Sequence, residues 1–401
     1  MVIVFQILET LLIIFIGGIV LYLLFLSLSA LRSSKEKILF ANKYNKFAFI
    51  IPAHNEELSI TRTIKSILQI DYPGELWDLF VIADNCTDKT AEISSELGAN
   101  VLIRNNPTER GKGYALRWCT DILLKSQKNY DAIVIVDADS IVQPNILKVL
   151  NTYLQNGSQA IQVADLVEPQ YDSWSSEVTR VGFTLYNYVR PLGRKNFKFT
   201  AGLKGNGMCL STLLLKKIPW SSWSLNEDLE HGLILLLNGI VVDFAPETIV
   251  LAAMPRDHKK AESQRSRWER GRYPVIKNYT LKLLRKYLKT GSFVYFDALI
   301  ELITPPIVNL FVLITFMIFI NALLITLEIK ELNIFLYVWL AIFMMGILHI
   351  LIGLKAANAD RTLYKAFFHI PKYVIWKIYL YINFTFKKFH NEWIRTSRET
   401  N

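Results

Sequence analysis

Three runs without a charged residue, Thr10–Leu31, Leu302–Leu327 and Leu332–Leu354, constrain this 401-residue chain more than any other feature. Each is long enough for the roughly 20 residues a helix needs to cross a hydrocarbon core. The first is too long for the apolar stretch of a signal peptide, which spans about 7–15 residues after a basic start. Glu9 is the sole charge before it and no A-x-A site follows, so it reads as a retained anchor. The chain is 52% hydrophobic and 20% charged, which fits a membrane protein better than a soluble domain. Cys86, Cys119 and Cys209 form no C-x-x-C pair or Cys/His cluster, which excludes a disulfide framework and a structural zinc site.

Charge orients the spans. Arg32-Ser-Ser-Lys35-Glu-Lys37 follows the first run, the connection Glu328–Glu331 between the other two is short, and Lys355–Asn401 is basic. By the excess of Lys and Arg on cytoplasmic flanks, the segment 32–301 and the C-terminal tail face the cytoplasm of an inner-membrane, multi-pass protein. The formal charge of +10 is concentrated near the bilayer: Arg256–Lys289 alone holds twelve basic and three acidic residues. Within Lys277–Lys289, Leu281, Leu284 and Leu288 share a helical face among Lys282, Arg285, Lys286 and Lys289, a pattern suited to a helix lying on anionic headgroups. Residues 367–386 are read as interfacial, with a fourth distorted span as the alternative. Without these flanking segments the body is net negative, so nucleic acid is not an expected partner.

From Lys46 to about Phe244 short apolar strands (Phe47–Ile51, Leu79–Ala83, Asn100–Ile103, Ala132–Val136) alternate with helical stretches. Thr87-Asp88 can cap Lys89–Leu97 before Gly98, and Pro144 opens Asn145–Gln155 before Gly157. Such alternation predicts an α/β domain with a mostly parallel sheet, whose ligand site lies at the carboxyl ends of its strands. Chemically able residues do follow the strands: Pro52-Ala-His-Asn-Glu-Glu57, Asp84-Asn85 and Asp137-Ala-Asp139. The chain has no G-x-x-x-x-G-K-[ST] and no G-x-G-x-x-G, which argues against an ATPase or a dinucleotide oxidoreductase.

Each remaining motif has two readings. Asp137 and Asp139 can present hard oxygens to Mg²⁺ bridging a diphosphate, or form a solvated turn. Glu227 and Asp228 open a helix that runs through Leu237, where acids are favoured by the helix dipole without any chemistry. Gln264-Arg-Ser-Arg-Trp268 can grip a diphosphate bidentately and offer an indole to a sugar, or be a basic juxtamembrane cluster with an interfacial Trp. Arg110-Gly-Lys-Gly113 is a small basic loop able to approach phosphates.

The order of these motifs carries more than any one of them. HNEE (54–57), ADNCTDKTA (83–91), RGKGYAL (110–116), DADS (137–140), GNGM (205–208), EDLE (227–230) and QRSRWERGR (264–272) together resemble the inverting, membrane-integrated family 2 glycosyltransferases. The likeness points to their cellulose-synthase-like branch and its exopolysaccharide, methanolan-type subgroup. The resemblance implies a GT-A (Rossmann-like nucleotide-sugar) domain carried by transmembrane and interfacial helices. It divides the chain into an anchor (1–31), the GT-A domain (32–255), a basic QxxRW and interfacial segment (256–301), a two-helix hairpin (302–354) and a basic tail (355–401).

Carried over residue by residue, the resemblance implies that Pro52, His54, Glu56 and Asp84 hold the nucleoside and that Lys112 lies near the diphosphate. Asp137 touches the nucleotide, and Asp139 with Asp137 takes Mg²⁺ or Mn²⁺. Asp228 is the general base. Gln264, Arg267 and Trp268 close over donor and acceptor, and Gly205, Asn206, Gly207 and Met208 shape the acceptor pocket. Asn226 stands where the family usually has Thr or Ser before Glu-Asp. The resulting expectation is transfer of a sugar from a nucleotide-sugar donor, of the UDP-sugar kind, to a growing exopolysaccharide or cell-surface glycan. The alternative is a single transfer to a lipid such as ceramide, diacylglycerol or polyprenyl phosphate, and a non-catalytic membrane component is a third reading. Three spans are few for a polysaccharide channel, so export of a polymer calls for a homo-oligomer or an export partner.

Overall fold

The computed structural model describes residues 2–32, 43–169, 174–253, 258–327, 333–369 and 372–373. Along the chain run α1 (Val2–Ala30), β1 (Phe47–Ala53), α2 (Ile60–Ile67), β2 (Trp77–Asp84), α3 (Thr90–Glu96), β3 (Asn100–Arg104) and α4 (Lys112–Leu124). They continue with β4 (Ala132–Ile135), β5 (Ser140–Val142), α5 (Ile146–Gln155), β6 (Ala160–Val167), α6 (Trp174–Phe183), a π-helical turn over Thr184–Val189 and α7 (Arg190–Lys195). Next come β7 (Met208–Ser211), α8 (Thr212–Lys217), α9 (Glu227–Leu237), β8 (Asp243–Ala252) and α10 (His258–Thr290). The last helices are α11 (Phe293–Ile303), α12 (Ile307–Thr326), α13 (Asn333–Ala356) and α14 (Arg361–Ala366).

These elements form two compact units, one of residues 34–168 and 198–299, the other of residues 1–33, 169–197 and 300–391. The first is built on an eight-stranded sheet in the order β3-β2-β1-β4-β7-β6-β8-β5. β1, β2, β3 and β4 pair in parallel; the apolar runs of β1 and β4 are buried on both faces, as helix-covered parallel strands require, whereas the edge strand β3 leaves Ile103 exposed. Phe47, Phe49, Ile51, Val81, Val134 and Val136 meet Ile60, Ile64, Ile67, Ile146 and Leu150 from α2 and α5 in one core. The sheet is mostly parallel, as expected, with two reversed strands: β6 and β8 also pair in parallel, whereas β7 runs antiparallel to both β4 and β6, and β5 to β8. The reversal at β7 is made by Gly205-Asn206-Gly207, whose glycines sit at φ +83° and +66°. A side chain at Gly207 would lie 2.3 Å from Val163, so only glycine lets the turn enter the sheet.

The second unit holds the three helices long and apolar enough to cross a membrane, Ile3–Ala30, Ile307–Thr326 and Asn333–Ala356. The middle one begins later than the uncharged run, because Pro305 and Pro306 end α11 and restart the chain as α12. Ile16, Ile19, Val20, Leu23, Leu310, Ile314, Trp339 and Ile342 form its core. Glu9 is buried there and accepts hydrogen bonds from Asn321 (2.5 Å) and the Trp339 indole (2.8 Å), so one carboxylate ties three helices.

Residues 169–197, expected inside the 32–255 domain, belong to this second unit. Arg194 donates to Glu301 and to the Tyr22 hydroxyl, both at 2.7 Å, and Arg190 lies 3.4 Å from the same Glu301 carboxylate. The exposed Leu281 and Leu288 leave the outer face of α10 open while Leu283 on its inner face is fully buried in the first unit. The 367–386 stretch falls almost entirely outside the described residues.

Close approach of α7 to α1 depends on Gly193, where an added Cβ would lie 2.3 Å from the Leu26 carbonyl oxygen. Gly193→Ala is expected to cost about 1–3 kcal/mol by forcing the helices apart. Gly18→Ala, which meets nothing within 4 Å, is expected to be neutral or to stabilise by up to about 1 kcal/mol through helix propensity. Thermal unfolding of the detergent-solubilised variants checks the opposite signs.

Candidate active site

The loops after β1 and β2 are stitched together at the sheet's carboxyl edge. Asn55 and Asn85 adopt left-handed backbone (φ 57° and 51°), a conformation asparagine tolerates best among residues with side chains. Asn55 Oδ1 accepts from the Thr87 amide at 2.7 Å, and the Glu56 amide donates to Thr90 Oγ1 at 2.7 Å. The Glu56 carboxylate accepts from Ser59 Oγ at 2.6 Å. His54 Nδ1 donates to the Asp84 carbonyl at 2.7 Å, which fixes its proton on that nitrogen. Pro52 lies within β1 opposite Ile82, beyond the last residue that β4 pairs.

Asp84 is 7% exposed and accepts from Arg104 at 2.7 Å. Burial raises its pKa even against the guanidinium. Its oxygen Oδ1 is therefore committed to the fold as well as to any ligand. Arg104→Met is expected to cost about 3–5 kcal/mol, because it leaves a buried carboxylate unpaired. Denaturant unfolding checks it, and Asp84→Asn in the same background is expected to recover part of the loss.

Strand β4 delivers Asp137 and Asp139, and helix α9 delivers Glu227 and Asp228. The Lys112 ammonium, at the first turn of α4, joins them. It donates to Asp137 Oδ1 at 2.5 Å and to the Gly205 carbonyl at 2.6 Å. Burial works against its charge, but Asp137, Glu227 and Asp228 outweigh this and raise its pKa. Asp228 lies against Gly205, where an added Cβ would be 3.1 Å from its Oδ2. Burial also pushes both acids of α9 up, Glu227 to about 7 with the Asp228 charge adding to the effect.

Asn226 is held beside this pair by α10, since an added Cβ at Gly271 would fall 2.6 Å from Asn226 Oδ1. Gln264, Arg267 and Trp268 lie on the backbone of α10, and their side chains lie outside the described residues. Gly205 and Gly207 form the turn entering β7, as above. Asn206 and Met208 are 2% and 0% exposed, and Met208 pairs with Ile135 inside the sheet.

The residue reading missed Asp165. It sits on β6, 5% exposed, and accepts from Asn206 Nδ2 at 3.0 Å. Burial and the nearby Asp137 push its pKa well above the carboxylate range. His231, one turn beyond Asp228, is also buried and stacks on Trp220 at 4.3 Å, with its pKa lowered by burial to about 4.

Among the described residues no group of three or more His, Cys, Asp or Glu side chains could hold a metal alone. Two carboxylates fit an ion that takes its other oxygens from water and a diphosphate, as Mg²⁺ does. The chemistry this permits is stabilisation of a leaving phosphate beside a carboxylate able to accept a proton.

The family model described as glycosyltransferase-like family 2 matches residues 45–271, more than half of the chain. The chain belongs to glycosyltransferase family 2. Its sheet and covering helices form a GT-A fold. It is 25% identical to the probable glycosyltransferase YdaM of Bacillus subtilis over 63% of this chain and 61% of that protein. It is 25% identical to the beta-monoglucosyldiacylglycerol synthase of Synechocystis sp. over 59% of this chain and 50% of that one. The chain thus spans between half and about three fifths of these relatives' length. Among solved structures, the mannosyltransferase PcManGT from Pyrobaculum calidifontis in complex with GDP-Man and Mn²⁺ shares the fold. Its TM-score is 0.52 at 14% identity, covering 86% of this chain and 97% of that one.

Proposed function

We propose that this family 2 glycosyltransferase is a membrane-bound, inverting enzyme that adds one sugar to a lipid acceptor at the cytoplasmic face of the membrane. The observation that carries the chemistry is the meeting of Lys112, Asp137, Gly205 and Asp228 at one edge of the sheet. Pro52, His54, Glu56 and Asp84 form the wall against which the nucleoside rests. Lys112 faces the diphosphate, and Asp137 and Asp139 hold Mg²⁺ or Mn²⁺. When bound, that ion offsets the charge growing on the departing nucleoside diphosphate. Gln264, Arg267 and Trp268 on α10 close the donor side, and Trp268 also meets the acceptor.

Asp228 takes the proton of the acceptor hydroxyl, a contribution of about 10²–10⁴-fold for a positioned base. Its raised pKa makes it a stronger base than a solvated carboxylate. Attack opposite the leaving group inverts the anomeric carbon, giving a β-linkage from an α-linked donor.

The lipid acceptor is supported by the named product of the Synechocystis relative, a glucosyldiacylglycerol, and by three apolar helices among the described residues. A growing exopolysaccharide is the second reading, favoured by the ordered motifs from HNEE to QRSRW. Nucleotide release by the purified protein, screened over UDP-glucose, UDP-GlcNAc, UDP-galactose and GDP-mannose with mixed membrane lipids, tests both. A single-sugar lipid under excess donor supports the first reading, and a ladder of longer products sinks it.

Asp228→Asn is expected to retain donor binding and lose about 10²-fold or more in turnover. Parallel loss of donor affinity argues against a base. The base must be ionised to act, so turnover falls as pH is lowered through its raised pKa. The acid limb of the kcat profile is therefore expected above the ordinary value of an aspartate. A limb near pH 4 contradicts the role.

A further inference from the structure

We propose that Asn206 and Asp165 are positioning residues that set the geometry of the metal-binding carboxylates and tie them to the base. The proposal rests on the assignment of Asp137 and Asp139 to the divalent ion.

Every polar group of the Asn206 side chain is spent inside the protein. Its Oδ1 accepts from the backbone amide of Asp137 at 3.0 Å, and its Nδ2 donates to Ser140 Oγ and to Asp165 Oδ1, each at 3.0 Å. Asp137 and Ser140 bracket Asp139, so one amide grips both ends of the segment that carries the carboxylates. Asp165 supplies the fixed end of the grip from the middle of β6. Beside it, Gln162 Nε2 donates to the Asn206 carbonyl at 2.7 Å, and Gln162 Oε1 accepts from the Lys204 amide at 2.8 Å. The turn 204–206 is thereby pinned to β6.

The same turn reaches the other half of the site. The Gly205 carbonyl receives the Lys112 ammonium, and the Gly205 α-carbon lies against Asp228. A shift of Asn206 therefore moves the metal-binding carboxylates relative to the base, although neither Asn206 nor Asp165 has surface to touch a substrate.

A polarity swap tests this. Asn206→Asp keeps an oxygen for the Asp137 amide but loses the Nδ2 donor that Ser140 Oγ and Asp165 Oδ1 accept from. Asp165→Asn added to it restores one donor and one acceptor in reversed order. The readouts are equilibrium Mn²⁺ binding in the presence of UDP, followed by electron paramagnetic resonance of the free ion, and the Mn²⁺ concentration for half-maximal nucleotide release. Asn206→Asp is expected to weaken Mn²⁺ binding about 10–100-fold, and the double variant to return to within about threefold of the parent.

A double variant as weak as the single one overturns the proposal. So does a single variant that binds Mn²⁺ like the parent and only melts earlier. If Asn206→Asp does not accumulate folded, Asp165→Leu and Asp165→Asn replace it: weak Mn²⁺ binding in the first alone supports the proposal, and equal binding overturns it. A parent protein that binds no Mn²⁺ with UDP overturns this inference and the metal role together. Bound Mn²⁺ that is indifferent to the swap overturns the inference alone.

Discussion

Acids gathered at the end of a sheet repel one another, and Lys112 makes their gathering tolerable. Asp137, Glu227 and Asp228 all raise the affinity of that ammonium for its proton, so its charge is held where three carboxylates need it. The lysine is placed by α4, whose first turn begins beside a glycine at φ +120°. The next residue, Gly113, is equally constrained: an added Cβ would lie 2.2 Å from the Ser222 carbonyl oxygen. The strand loops, the β7 turn and the start of α9 are arranged around this single cation.

That arrangement explains why burial helps the site as well as costing it. Carboxylates partly withdrawn from water prefer their protons, which brings Glu227 and Asp228 toward the pH at which an acceptor hydroxyl must be activated. Full desolvation would lock the protons on. Lys112 and Lys204 both oppose burial at Asp228, which limits its upward shift. Asp84 shows the contrasting solution, a buried carboxylate held by a dedicated Arg104.

Much of this was legible in the residues. The apolar strands fell where the β-branched runs put them, and the acids appeared just past their ends because a parallel sheet places ligand-facing loops there. Asp165 was hidden because Ala-Ile-Gln-Val-Ala-Asp-Leu-Val reads as a core strand, and one acid within it carries no spacing signal. The inward turn of Asn206 was equally hidden, since it follows from the antiparallel entry of β7 rather than from the residues around it. Residues 174–195 fall inside the 32–255 span expected for the soluble body, yet they join the apolar unit and carry Arg180, Arg190 and Arg194 with them. Glu177 answers Arg180 from one turn away, but Glu301 and Asp360 answer these arginines from distant parts of the chain, a pairing that local sequence does not show.

The dispersal of the apolar unit over three stretches of sequence has a practical side. Cutting away α1 and the α12–α13 hairpin to obtain a water-soluble catalyst still leaves α6, the π-helical turn and α7 spliced between β6 and β7. Leu185 and Val189 would lose Gly353 as their neighbour, and the Arg194 guanidinium would lose the Tyr22 hydroxyl. Such a fragment would expose a sticky, cationic loop in the middle of its fold. Replacing 169–197 with a short polar linker is the cleaner excision.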